Sequence, residues 1–284
     1  MDPLDVEHLR SWIGRTETME DVATLAPLRA LTATLDREDP PQAGDTVPPC
    51  WHWLYFLPTH RQSDIGPDGH ARRGGFLPPV PLPRRMWAGS QIEFPAAMRA
   101  GQSLARLSSI DDVRVKEGRS GPLVFVKVRH EIRADGELAI VDRHDIVYRG
   151  MPQPGEAVPA GIAAPTGEHW SRRIAPDDVL LFRYSALTFN GHRIHYDRRY
   201  VTAVEGYPGL IVHGPLIATL LLDLLRRELP QAQVKAFGFR AMKPLFDTAP
   251  FELYGRCEAD GKTIRLWART TEGHLAMDAS ATLA

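Results

Sequence analysis

At 284 residues the chain has room for one large domain or two of about 140. It is 43% hydrophobic and 24% charged with a formal net charge of −1, an ordinary globular balance that gives no electrostatic ground for nucleic acid or an anionic membrane as partner. Two isolated cysteines, Cys50 and Cys257, make neither a disulfide framework nor a CxxC metal pattern. The acidic opening Met1–His8 carries no export or import signal, and no run of about 18 apolar residues exists to span a bilayer, so a cytoplasmic protein is expected.

Residues 1–37 read as helical. From Thr18 on, Met19, Val22, Leu25, Leu28, Leu31 and Leu35 recur at threes and fours, the spacing of one buried helix face. Residues 36–49, rich in Asp, Pro and Gly, read as a loop. Trp51–Phe56 is aromatic and strand-like. From Leu57 to Glu93 prolines and glycines leave no periodicity, yet Phe76, Met86 and Trp87 argue against disorder, so an ordered cover over a ligand is expected. Strand-like runs follow at 102–115, 123–132 and 138–148, separated by turns at Gly118–Pro122 and Ala134–Gly136, which predicts an antiparallel meander. Gly150–Gly167, with its prolines and glycines, reads as a linker.

The second half repeats this order. A helical lead-in (176–187) and a long helix (215–229) precede strand-like runs at 234–245, 251–257, 262–270 and 275–283, with Asp260-Gly261 marking a hairpin. Helix then meander, twice, implies an α+β protein with a helix packed on a curved antiparallel sheet in each half.

The chemistry concentrates in Tyr184-Ser-Ala-Leu-Thr-Phe-Asn190-Gly-His192-Arg-Ile-His195-Tyr-Asp197, answered by Val212-His213-Gly214-Pro215. A proline suits the first turn of a helix, because its missing N–H would be unpaired there anyway. The helix it opens is apolar nearly all round, hence buried, and its free N–H groups at Gly214 would favour a developing negative charge. Histidine titrates near neutrality, so His195 can take a proton and return it.

These two stretches, with Phe76–Gly89 and Lys116–Pro122, resemble the MaoC-type (R)-specific enoyl-thioester hydratases and dehydratases. Within them they are most similar to the branch of mitochondrial 3-hydroxyacyl-thioester dehydratase and bacterial itaconyl-CoA and mesaconyl-C4-CoA hydratases. The resemblance implies a double hotdog fold: a substrate-binding, non-catalytic half over 1–150, a linker at 151–166 and a catalytic half over 167–284. It implies reversible hydration of a short unsaturated acyl-CoA, itaconyl-CoA or mesaconyl-C4-CoA to citramalyl-CoA. A general 3-hydroxyacyl-thioester dehydratase, a thioesterase and a non-catalytic thioester binder are the alternatives. No metal or redox cofactor is called for, CoA being part of the substrate, and a homodimer or larger homo-oligomer is expected.

His195 matches the family's catalytic histidine. Asn190 departs from the wider family, which carries Asp there; an amide positions water but cannot take its proton, unless it serves only as a turn-former beside Gly191. Gly214 is the expected oxyanion donor through its backbone N–H. In this reading His192 either braces the turn or touches substrate, and His213 either acts in the site or fills space. Asp197 either holds an imidazole or starts a helix. Arg84, Arg85, Arg119 and Arg193 suit CoA phosphates or an acyl carboxylate, and Trp87 lines an acyl or adenine pocket or packs in the core. A zinc site from His192, His195 and His213 is a further alternative on composition alone.

Overall fold

The computed structural model describes residues 4–118, 121–151 and 160–284. Ten strands form one antiparallel sheet in the order β1-β3-β4-β5-β2-β7-β10-β9-β8-β6. The first half supplies β1 (Thr16–Val22), β2 (Arg84–Glu93), β3 (Ser103–Gly118), β4 (Gly121–Ala134) and β5 (Glu137–Arg149). The second supplies β6 (Trp170–Ile174), β7 (Val234–Ala241), β8 (Phe251–Cys257), β9 (Thr263–Thr270) and β10 (Leu275–Leu283). The expected double hotdog is present, its two five-strand halves joined edge to edge where β2 pairs with β7. Gly89 makes that seam possible: a Cβ there would stand 2.3 Å from the Phe239 carbonyl oxygen. Of the expected linker, residues 152–159 lie outside the described residues, while Ala163 bridges His274.

Helix α5 (Gly214–Glu228) starts one residue before the predicted point and runs across the second half-sheet. Leu216, Ile217, Leu220, Leu221, Leu224 and Leu225 are buried as its sequence dictates; each such side chain contributes about 2 kcal/mol on leaving water. Its polar stripe is also satisfied. Asp223, 4% exposed, takes Arg37 at 2.9 Å, Arg172 at 2.6 Å and Arg227 at 2.8 Å, tying the first half's helical end to the second half.

Three expectations from sequence are corrected. Only part of 1–37 is helical, as α1 (Val6–Arg10) and α2 (Leu25–Thr34). Met19 and Val22 belong instead to β1, because the edge of β3 offers that segment a full antiparallel register from Thr16↔Ser109 to Val22↔Ser103. Trp51–Leu54 is a 3-10 turn rather than a strand: Cys50 (φ 67°) and Phe56 (φ 56°) sit in left-handed conformations, and Trp51, His52 and Leu54 are all buried, with no alternation of faces. The aperiodic stretch 57–93 ends in β2, whose pattern is hidden by polar residues and a bulge between Trp87 and Gly89.

The remaining loop, 57–83, is ordered, as expected. Its Val80 and Leu82 are buried against Ile110, Val113, Val124 and Tyr148, covering the outer face of the first half-sheet. Among the described residues no helix is long and apolar enough to cross a membrane.

Candidate active site

Helix α3 (Asp178–Leu187), capped by Asp177 at the Leu180 N–H, leads into the turn that carries Asn190, His192 and His195. The chain reverses there through Phe189 at φ 48°. The Asn190 Oδ1 accepts the His192 N–H at 3.0 Å, and the Asn190 N–H donates to the Ser185 carbonyl at 2.8 Å. Asn190 therefore does form the turn. Its oxygen has a second lone pair and its NH2 two donors, and Asn190 lines the cavity described below. A single 3-10 turn (Arg193–His195) then brings His195 inward, and α4 (Arg198–Ala203) begins on an Asp197 cap to the Tyr200 N–H at 2.9 Å. Asp197 also pairs with Arg193 at 2.7 Å. Its carboxylate thus starts a helix rather than holding an imidazole.

His195 is 8% exposed and its Nδ1 lies 2.7 Å from the Ile211 carbonyl oxygen. A carbonyl only accepts, so Nδ1 carries the hydrogen and Nε2 keeps the basic lone pair. The His195 ring stacks on His213 with centroids 3.7 Å apart, and His213 is the residue that caps the start of α5. The predicted meeting of imidazole and helix end is thus present in the fold. Gly214 opens α5, where its N–H has no acceptor within the helix. A Cβ on Gly214 would find just the Trp87 carbonyl oxygen, at 3.9 Å. Neither packing nor φ requires glycine there.

His213 rests its Nε2 against the Ser185 hydroxyl at 2.8 Å, with both residues buried. Two nearly parallel rings, one with its Nδ1 already bonded to a carbonyl, do not converge their lone pairs on one ion, so His192, His195 and His213 are not arranged as a zinc triad. The His/Asp grouping whose ligand atoms do approach within 4.8 Å of one another is Asp68, His70 and His192, with Asp68 already bonded to His70 Nδ1 at 3.1 Å.

His70 is the residue that sequence reasoning missed. It belongs to a small hairpin, closed by Ile65↔Ala71, that the long loop lays over the Asn190–His195 turn. Gly69 fits directly on Gly191: its Cβ would be 1.7 Å from the Gly191 carbonyl oxygen, and its φ is 90°. The Arg193 N–H donates to the Asp68 carbonyl and the Arg193 Nη1 to the Pro67 carbonyl, both at 2.9 Å. His70 then faces His192 at 4.0 Å, and His192 meets His195 edge-on at 5.4 Å. The one available signal is the aperiodic Asp68-Gly69-His70, which without the fold is an ordinary turn.

Burial sets the protonation of this group. It pushes His195 down to about 4, against the hydrogen bond to Ile211 and helped by the charge of His70. Burial and the nearby Arg85 charge bring His70 to about 4 despite Asp68. His192 and His213 are lowered as well, by burial first and neighbouring imidazoles second. At neutral pH all four rings are uncharged.

A cavity of about 1220 Å³ joins this site to the first half. Asn190, Ser185, Tyr184 and Pro215 line one end, while His195 stands behind that wall, stacked on the His213 that bonds Ser185. The loop expected to cover a ligand lines it too, from Leu57 to Pro78.

The expected binding residues divide. Arg85 and Trp87 line the cavity, Trp87 with its indole tilted against His144 at 4.0 Å. Arg84 is buried on Glu205, at 3.1 Å from its carboxylate and 2.6 Å from its carbonyl, and lies over Tyr207. Arg193 is held by Asp197, Pro67 and the Tyr200 ring. Both are taken up by protein partners. Arg119 lies outside the described residues.

The model of the hydroxyacyl-thioester dehydratase type 2 family matches residues 50–247, which contain the cover, the Asn190–His195 turn and the start of α5. The chain belongs to this family. It is similar to a mesaconyl-C(4)-CoA hydratase of Chloroflexus aurantiacus, 48% identical over 96% of this chain and 97% of that protein. Among solved structures it resembles a MaoC-like dehydratase from Phytophthora capsici (TM-score 0.70, 12% identity, 99% and 98% of the two chains). It also resembles a Mycobacterium tuberculosis protein described as a double hotdog (TM-score 0.59, 13% identity, 95% and 96% of the two chains). The protein is therefore a hydro-lyase, of the hydratase and dehydratase type.

Proposed function

We propose that the substrate is a short α,β-unsaturated acyl-CoA bearing a free carboxylate, hydrated reversibly to the 3-hydroxyacyl thioester. Mesaconyl-C4-CoA and citramalyl-CoA are the leading pair, ahead of itaconyl-CoA, because the 48% identical relative is a mesaconyl-C(4)-CoA hydratase. The observation that carries the mechanism is the stacking of His195 on His213, which sets a single basic nitrogen beside the start of α5.

In this reading Asn190 holds a water, and His195 Nε2 takes its proton as the oxygen attacks the β-carbon. Charge flows to the thioester oxygen, where the Gly214 N–H and the helix end stabilise it. His195 then returns the proton to the α-carbon. A histidinium with so low a pKa is a strong acid, which favours that return; dehydration reverses each step. The balance closes without a metal or redox partner.

Arg73 is held by the Val80 and Pro83 carbonyls, but Arg72 and Arg85 border the same cavity, and among the described residues no carboxylate lies within ion-pair distance of either. They are suited to CoA phosphates. His192 and His213 support His195 rather than touch substrate.

The test is the enoyl absorbance of mesaconyl-C4-CoA beside release of free thiol. Loss of absorbance with formation of citramalyl-CoA supports the reading. Thiol release would indicate a thioesterase instead, and greater activity on 3-hydroxybutyryl-CoA than on citramalyl-CoA would favour the general dehydratase.

A further inference from the structure

The far end of the cavity holds a second polar group that the reaction does not use. Asp142, 1% exposed, accepts the Trp53 indole N–H at 3.0 Å and bonds His144 at 2.8 Å and His52 at 3.3 Å. His130 sits edge-on to His144 at 4.5 Å and bonds the Ser108 hydroxyl at 2.8 Å. Arg106, on β3, completes the group, and it lines the same cavity as Asn190 and Pro215.

Arg106 lacks a matched partner. Its Nε is buried without a hydrogen bond, its Nη2 lies 2.8 Å from the Met19 sulfur, and its guanidinium covers the Phe56 ring at 4.9 Å. The carboxylate in ion-pair range is Glu17, 43% exposed and 4.0 Å away. Two further carboxylates have charges that reach it, neither within ion-pair distance. Asp142 takes two imidazoles and an indole on Oδ2 alone, its Oδ1 being buried without a hydrogen bond, and Asp21 accepts the Phe56 and Val22 backbone N–H groups, both at 2.7 Å. Burying a guanidinium with donors unmet is costly unless a ligand meets them, and the rigid fork matches a carboxylate bidentately.

We propose that Arg106 receives the free carboxylate of a dicarboxylic acyl thioester, and that this end of the cavity selects such substrates over their uncharged isosteres. The inference rests on the reading of the protein as an acyl-CoA hydratase of carboxylated substrates. It divides the labour between the halves, the first recognising the acyl group while the second performs the chemistry.

Succinyl-CoA and butyryl-CoA test it, since they differ in one carboxylate and neither contains a double bond to hydrate. Calorimetry on the full-length protein is expected to show succinyl-CoA bound at least about tenfold tighter. Arg106→Met should weaken succinyl-CoA by roughly 30-fold or more and leave butyryl-CoA within about threefold. Arg106→Lys, which keeps the charge but loses the fork, should weaken succinyl-CoA by about tenfold, and this variant decides the matter if Arg106→Met does not fold. Equal loss of both ligands, or an unchanged preference for succinyl-CoA, overturns the site. Failure of the wild type to hydrate mesaconyl-C4-CoA would overturn the proposed reaction instead, because the binding preference is measured without turnover.

Discussion

Two histidine groups stand about one cavity in opposite halves of the protein, one lining it and the other behind its wall, and they are wired for different work. In the first half, His52 and His144 crowd around Asp142; burial opposes that charge, but the field of His144 and the hydrogen bonds from both rings outweigh it and hold the carboxyl well below its usual range. In the second half His195 has no carboxylate. A backbone carbonyl fixes its tautomer, a neighbouring imidazole supports its face, and burial keeps it neutral. A carboxylate partner favours the charged imidazole and spends a ring nitrogen on an ion pair. A base that must take a proton and surrender it within one turnover is better served by a neutral neighbour. The first arrangement holds charge in place, and the second moves it.

Mutations can break that contrast. His195→Gln removes the basic nitrogen and should lower kcat by about 1000-fold or more, with thioester affinity nearly kept. Asp142→Asn removes the charge that two rings and an indole share and turns one of its oxygens into a donor; the expected cost is about 3 kcal/mol of stability, read by denaturant unfolding. Gly214→Ala places a methyl where the thioester should lie, so activity should fall by about 100-fold while the melting temperature hardly moves. An equal loss of stability would show that the glycine serves packing. Gly69→Ala cannot seat against Gly191, and parting the cover from the turn should reduce kcat/KM by about tenfold and expose residues 64–72 to proteolysis.

Much of this is legible in the chain. The meander strands, α5 with its proline start, and the pairing of His195 with the Gly214 helix end follow from periodicity, helix-start chemistry and family resemblance. What escapes is non-local. Met19 looks helical because its spacing is right, and only the free edge of β3 makes it a strand. Arg84 and Arg193 look like anion binders because charge is visible in a sequence, whereas the Glu205 and Asp197 that meet them in the fold are not. His70 and Arg106 have no motif at all: one acquires meaning from a backbone contact between two glycines, the other from a lack of partners in a folded interior.

The same burial makes the fold acid-sensitive. Unfolded imidazoles take protons near pH 6.5, but His70 and His195 in the folded chain resist until about 4. The unfolded state therefore binds more protons in that window. The stability this confers is complete above 6.5 and drains as pH falls toward 4, on the order of 3 kcal/mol for His195 alone.

The most direct test of the catalytic assignment is the pH dependence of kcat/KM for hydration, taken in short assays after a pH jump so that unfolding does not intrude. With His195 working as a buried neutral base, the profile should stay level from pH 8 down to about 5 and fall on an acid limb near 4. An acid limb at 6.5, the value of an ordinary exposed imidazole, would contradict it.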